Sequence, residues 1–208
     1  MKTVWIVLGG LALVVLIVVM SAIGSYNGLV GASQRVDQQW AQVQNVYQRR
    51  ADLIPNLVQT VSGSANFEKS TLTAVIDARA SATKVTVDAS KAPTDPAQLQ
   101  AFEQAQGQLS GALSRLLVVS ERYPDLKASQ SFLALQAQLE GTENRISVER
   151  GNFNGAVQEY DTKVQRFPTV VMARLFGFTP KPYFAATAGA QTAPEVKFDF
   201  SSTQTTGK

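Results

Sequence analysis

Ser81 and Lys84 stand in the S-x-x-K spacing, which sets a hydroxyl about one helical turn from an amine that could act as its base. The companion motifs S-D-N and K-T-G are absent from the chain, and so short a pattern recurs by chance. Glu143 and Glu149 are the other candidate pair, two carboxylates for general acid–base work. Residues six apart do not share a helix face, so they read as surface or ion-pair residues. Helical bundles often hold di-iron through Glu-x-x-His motifs, and this chain has no histidine. The same absence removes the usual general base and the usual pH switch. There is no cysteine, hence no disulfide, thiolate nucleophile or cysteine-ligated zinc. No glycine-rich phosphate loop is present. No catalytic, cofactor-binding or metal-binding residues are assigned, no cofactor is expected, and the expected class is non-enzymatic.

The stretch Arg49 to Thr60 is where the sequence departs from its own pattern. It packs two arginines, Asp52, Pro55 and Asn56 into a long amphipathic helix. Arg50 falls on the apolar seam of that helix, and Arg79 falls on the seam of the next. Glu143 and Arg150 flank Ile146 near the seam of a later one. A buried arginine needs a charge partner, because an unpaired one costs several kcal/mol. One reading is a polar layer inside the fold, with Arg50 or Arg79 paired to Glu143, Asp77 or Glu149. The other is that the arginines reach the surface at the seam edge while their stems cover apolar neighbours. Guanidinium groups more than about 5 Å from every carboxylate would exclude the layer.

The elements that position these residues begin with an anchor. Val4 to Ile23 carries no charge, and none appears between Lys2 and Arg35. About 20 residues at 1.5 Å each span roughly 30 Å, the hydrocarbon thickness of a bilayer. Trp5 and Tyr26 fit interfacial aromatics. Ala22 and Gly24 offer the small residues of a cleaved signal peptide, but the run is long for one, so an uncleaved anchor is expected. Lys2 beside the amino terminus, against only Arg35 beyond the run, leans toward an external body. Gly24, Gly28 and Ala32 form a small-xxx-small series at the membrane exit, a pattern used in helix pairing. The net charge of +3 is spread without a basic block, so nucleic acid is not expected as a partner.

The body reads as helices. Val36, Trp40, Val43, Tyr47, Arg50, Ile54, Leu57 and Val61 alternate steps of four and three, the seam of bundle or coiled-coil packing. This helix can continue the anchor, Pro55 should kink or loosen it, and Gly63 should stop it. A second helix starts near Asn66, with Leu72, Val75, Ile76 and Arg79 on one face. Asp88 to Pro96 reads as a loop. Asp95-Pro96-Ala97-Gln98 reads as a capped start, and Leu99, Phe102, Gln106, Leu109, Leu113, Leu116 and Ser120 follow. Tyr123-Pro124-Asp125 is a turn. The next helix carries Phe132, Leu135, Leu139, Ile146, Phe153, Val157, Tyr160, Val164 and Phe167, and Pro168 ends it. A short apolar helix, Val170 to Phe176, closes at Gly177. The rest reads as a mostly irregular tail in which Val196 to Phe200 alternates like a strand.

In this order the residues resemble the LemA family. The resemblance runs through Tyr26-Asn27-Gly28-Leu29-Val30, Trp40, Arg49 to Thr60, Glu68-Lys69 and Ala78-Arg79-Ala80. It continues in Tyr123-Pro124-Asp125-Leu126, Glu143-Asn144-Arg145-Ile146 and Arg150-Gly151-Asn152-Phe153-Asn154. Phe167-Pro168, Phe176-Gly177-Phe178, Tyr183-Phe184, Val196 and Phe198 complete it. The chain departs at Asn66-Phe67-Glu68, where the family tends to have histidine before the glutamate, and at Phe153, where tyrosine is usual. The resemblance implies a bacterial membrane protein with one amino-terminal transmembrane helix and a helical body. It further implies an association with membrane organisation, no established catalytic residues, and no settled orientation.

The expected fold is all-α. It comprises an anchor over 1–25, an antiparallel four-helix bundle of long helices over 26–178, and a flexible tail with a short extended segment over 179–208. The expected function is a single-pass bacterial inner-membrane scaffold or adaptor. It would touch lipid through residues 4–23 and bind another membrane or envelope protein through Arg49, Arg50, Asp52, Pro55 and Asn56, with the tail segment. Alternatives are a membrane-organising homo-oligomer using Gly24, Gly28 and Ala32, and a hydrolase using Ser81 and Lys84.

Overall fold

The computed structural model describes residues 2–64, 67–85 and 90–185. They form α1 (Lys2–Ser62), α2 (Lys69–Lys84), α3 (Pro96–Ser120), α4 (Pro124–Lys127), α5 (Gln130–Gln165) and α6 (Thr169–Phe176), with no strand among the described residues. The segment Val196 to Phe200 lies outside them.

The anchor and the first body helix, divided at residue 25 on sequence, are one helix of 61 residues. No part of its most apolar stretch is covered by the body. Beyond it, Val36, Trp40, Val43, Tyr47, Arg50, Ile54, Leu57 and Val61 are all buried, as the four-three spacing requires. The helix ends at Ser62, where Gly63 N–H donates to Gln59 O.

α5 runs antiparallel to α1. Arg35 meets Glu159 at one level and Arg50 meets Glu143 at the next. α3 runs in the same direction as α1, with Phe102 edge-on to Trp40 and Tyr47 and Gln106 beside Arg50. α2 returns antiparallel to α1, bringing residues 82–85 level with residues 44–51. The closest pairings are α1 with α5 and α2 with α3. Asp95 caps α3 by accepting from Ala97 N–H at 2.8 Å, with Pro96 in its first turn. Every seam residue read for α3 is buried.

Two seam readings are corrected. Ile76 is half exposed, because Val75 takes the inward position on α2. Phe167 is 78% exposed, because α5 stops at Gln165 and the chain turns away before it. The first seven residues of the expected tail, 179–185, lie against the body, with Lys181 and Phe184 buried. Ala32 is buried too, so the small-residue series is partly covered within the chain itself.

The core has two parts. One gathers Leu29, Val36, Trp40, Val43, Tyr47, Phe102, Ile146, Phe153 and Val157 on the side of the anchor. The other gathers Ile54, Leu57, Val61, Val75, Leu109, Leu116, Phe132 and Leu139 on the far side. Between them on α1 lies Arg50.

Helix α1 passes through Pro55 without interruption. Proline has no N–H for the carbonyl four residues back, which is that of Ala51. Arg79 fills the place, its Nε donating to Ala51 O at 2.9 Å. A charged donor to an otherwise unmet carbonyl contributes about 1.5–3 kcal/mol. We therefore expect Arg79→Met to lower stability by about that amount, and by less than half as much once Pro55→Ala restores the helical donor. Denaturant unfolding of the four detergent-solubilised forms checks this; equal losses in both backgrounds would refute it.

Candidate functional site

Arg50 is 2% exposed and donates in three directions. Its Nη1 reaches Glu143 Oε2 at 2.8 Å and Ser110 Oγ at 2.9 Å. Its Nη2 reaches the Gln106 side-chain carbonyl and, at 3.3 Å, the Gln106 backbone oxygen. The guanidinium also lies 5.1 Å from the Tyr47 ring centroid. Its Nε is buried without a partner. Glu143 is half exposed, so one end of the ion pair is buried and the other is wet.

Arg150 forms a second pair one to two turns nearer the anchor. It donates to Glu103 at 2.7 Å and to Ala185 O at 2.9 Å, and lies over the Phe184 ring at 4.7 Å. Burial raises the Glu103 carboxyl, and Arg150 opposes that rise. Burial likewise raises the Tyr47 phenol. Tyr47, Arg50, Glu103, Gln106, Glu143 and Arg150 line one open cleft of about 580 Å³.

Of the four residues assigned to a polar layer, Arg50 and Glu143 meet directly, and Arg150 enters the same cleft on its own partner. Arg79 does not join them, being held at the Ala51 carbonyl. Glu149 accepts from Asn152 instead. Arg49, Asp52, Pro55 and Asn56 form an exposed stripe on the outer face of α1, where Gln48 donates to Asp52 at 2.8 Å. Arg50, grouped with that stripe on sequence, points the opposite way into the core.

Ser81 and Lys84 are both exposed. A lysine base of that kind needs desolvation, which this position does not supply. In the cleft both guanidinium groups face carboxylates and Ser110 accepts from Arg50, and among the described residues no hydrogen bond joins Ser110 to a base. Among the described residues no three metal-ligating side chains converge.

Sequence reasoning missed the residues that hold the segment after α6. Asn154 brackets Phe184, accepting from its N–H at 2.9 Å and donating to its carbonyl at 3.1 Å. Asp161 is buried and accepts from Lys181 N–H at 3.0 Å. Lys181 Nζ pairs with Asp37 at 3.1 Å, with both side chains largely buried. Tyr160 O–H donates to Thr179 O. The available signal was Asp37 and Asp161, each adjacent to a seam residue.

The layer generates a stability test. Glu143→Ala strands a buried guanidinium and should cost about 1–3 kcal/mol, the lower part of the buried-pair range because the carboxylate is half in water. Adding Arg50→Met removes the stranded charge and should recover at least half of that loss. Unfolding midpoints by circular dichroism read both; a double variant as unstable as the two single losses combined would count against a charge-governed layer.

A model of the LemA family matches residues 39–198 of this chain. Magnetosome protein MamQ 2 of Paramagnetospirillum magneticum is 26% identical over 178 residues, covering 76% of this chain and 64% of the relative. Magnetosome protein MamQ of Magnetospirillum gryphiswaldense matches to the same extent. Protein LemA of Metamycoplasma hominis is 24% identical over 152 residues, 73% of this chain and 65% of the relative. The chain thus spans slightly less than two thirds of the length of these curated relatives.

Proposed function

The chain belongs to the LemA family, and from that premise we propose that it is a non-enzymatic, single-pass membrane-anchored scaffold or adaptor that binds another membrane or envelope protein. The observation that carries this reading is the single helix α1. It joins an apolar run long enough to cross a bilayer to the core of the body without a break. Such a helix holds whatever it displays at a fixed height and bearing from the membrane. What it displays at Arg49, Asp52, Pro55 and Asn56 is polar and outward-facing, and the buried guanidinium of the same helix meets its carboxylate inside the chain. This is the division of labour of a binding element rather than a reaction centre.

Photo-crosslinking from Asp52 and Asn56 in native membranes tests it. We expect a discrete adduct with a different protein from both positions, and the Asn56 adduct should be lost when Arg49 and Asp52 are reversed in charge. Adducts only between copies of this chain would replace the adaptor with a self-assembling membrane-organising protein. No adduct at either position would reject the outer stripe as a docking face.

We place the body outside the cytoplasm of an inner-membrane protein, on the charge of Lys2 and the amino terminus. The cysteine-free sequence allows a direct check through a single Asn56→Cys. A membrane-impermeant maleimide should label it in intact spheroplasts. Labelling confined to inverted vesicles would reverse the orientation and move the partner to the cytoplasm.

A further inference from the structure

The end of the body nearest the anchor carries an outward apolar face that the fold leaves uncovered. On α6, Ala173 is buried while Val171 and Leu175, one turn apart, are 52% and 70% exposed. Phe167, in the turn that precedes α6, is 78% exposed. Ring contacts fix where this face sits. Phe176 lies edge-on to Tyr26 with centroids 4.8 Å apart, and Phe178 meets the same ring at 5.9 Å. Tyr26 is three residues beyond the apolar run that ends at Ile23. The turn between α5 and α6 reaches lower still: Phe167 and Pro168 share a groove with Ser21, Gly24 and Gly28. Ser21 belongs to the apolar run itself. If that run crosses a bilayer, Phe167 and α6 stand at the level of its headgroups.

The surrounding charge is one-sided. Lys163 and Arg166 line the groove, Arg174 is exposed on α6, and Arg35 is exposed on α1. Glu159 accepts from both Lys163 and Arg35 and offsets part of that charge, while Arg166 and Arg174 have no carboxylate partner among the described residues. An exposed apolar stripe with cations on its flanks is the composition of a helix that lies in an anionic interface. We infer that α6 and the Phe167–Pro168 turn are a second membrane-contacting element, seated on the anionic phospholipid headgroups of the bilayer that α1 crosses. The apolar side chains would enter the headgroup–acyl boundary by about 5–10 Å. Arg166 and Arg174 would meet lipid phosphates. The body would then be fixed to the membrane at two points, by a spanning helix and by a surface helix beside it.

This inference rests on the anchor proposed above. The test uses the full chain, one copy per nanodisc, in discs of phosphatidylcholine with phosphatidylglycerol. Val171→Cys and Leu175→Cys are labelled with a polarity-sensitive fluorophore, and Val118→Cys, 71% exposed on α3 at the far end of the body, is the reference. All three positions face outward, so folding is not at stake. The expected result is a blue shift at 171 and 175, with quenching by a spin label placed just below the headgroups and protection from aqueous iodide. The label at 118 should show the reverse. Arg166→Glu with Arg174→Glu, or discs of phosphatidylcholine alone, should return the 171 and 175 signals toward those at 118. Iodide quenching at 171 and 175 equal to that at 118 overturns the inference while leaving the anchor standing. Lipid quenching that ignores both the charge reversal and the lipid change overturns the anionic assignment. A chain that fails to enter the discs overturns the anchor, and this inference with it.

Discussion

A guanidinium taken out of water needs acceptors for its charge, and Arg50 on α1 draws them from two other helices at once. Its partners Gln106, Ser110 and Glu143 come from α3 and α5, so the layer forms only when both helices stand at one height against α1. A slip of either helix by one turn, about 5.4 Å, would remove the acceptors and leave the charge in an apolar core. The apolar residues on either side carry no such information, since leucine packs against leucine in several registers. We read the ion pair as specifying the arrangement more than it stabilises it, since it lies on α1 between the two halves of the core.

The same region of α1 holds a second unusual demand. Pro55 deletes the hydrogen bond to Ala51 O one residue beyond the charged layer, and the freed carbonyl is met by a side chain of α2. The defect in one helix thus becomes the attachment point of another. Loss of local helical bonding at Pro55 and loss of apolar continuity at Arg50 are both offset by contacts between helices. A proline that weakens an isolated helix and a charge that is costly in an apolar core thus both become points of attachment in the assembled fold.

This explains which parts of the molecule were legible in the sequence. The seams of α1 and α3 were readable because a 3.6-residue period writes burial directly into spacing, and the cap at Asp95 because it is local. That Arg50 falls on the seam was legible, but the spacing left open whether its guanidinium would be buried in a layer or reach the surface at the seam edge, and the acceptors on α3 and α5 decide that. That Arg79 would serve a backbone carbonyl was not legible, because its partner is set by how α2 packs on the defect left by Pro55. The segment 179–185 was read as tail because an extended strap has no period and its restraints lie far away in sequence. Asp161, Asn154 and Asp37 hold it through hydrogen bonds to backbone or to Lys181, which no spacing rule anticipates. Phe167 was misread for the opposite reason: it keeps the rhythm of α5 after the helix has ended.

The length of α1 constrains what the outer stripe can reach. From Ile23 to Arg49 and Asn56 the helix rises about 40–50 Å at 1.5 Å per residue. Anything bound at that stripe must extend about as far from the bilayer, or belong to a different layer of the envelope. If the apolar run crosses a bilayer, its headgroups lie too far below the stripe to touch it. The strap works in the same direction. By tying the chain after α6 to α5 and α1 through Asn154, Asp161 and Asp37, it keeps the anchor-side half of the body from hinging against the helix that carries it.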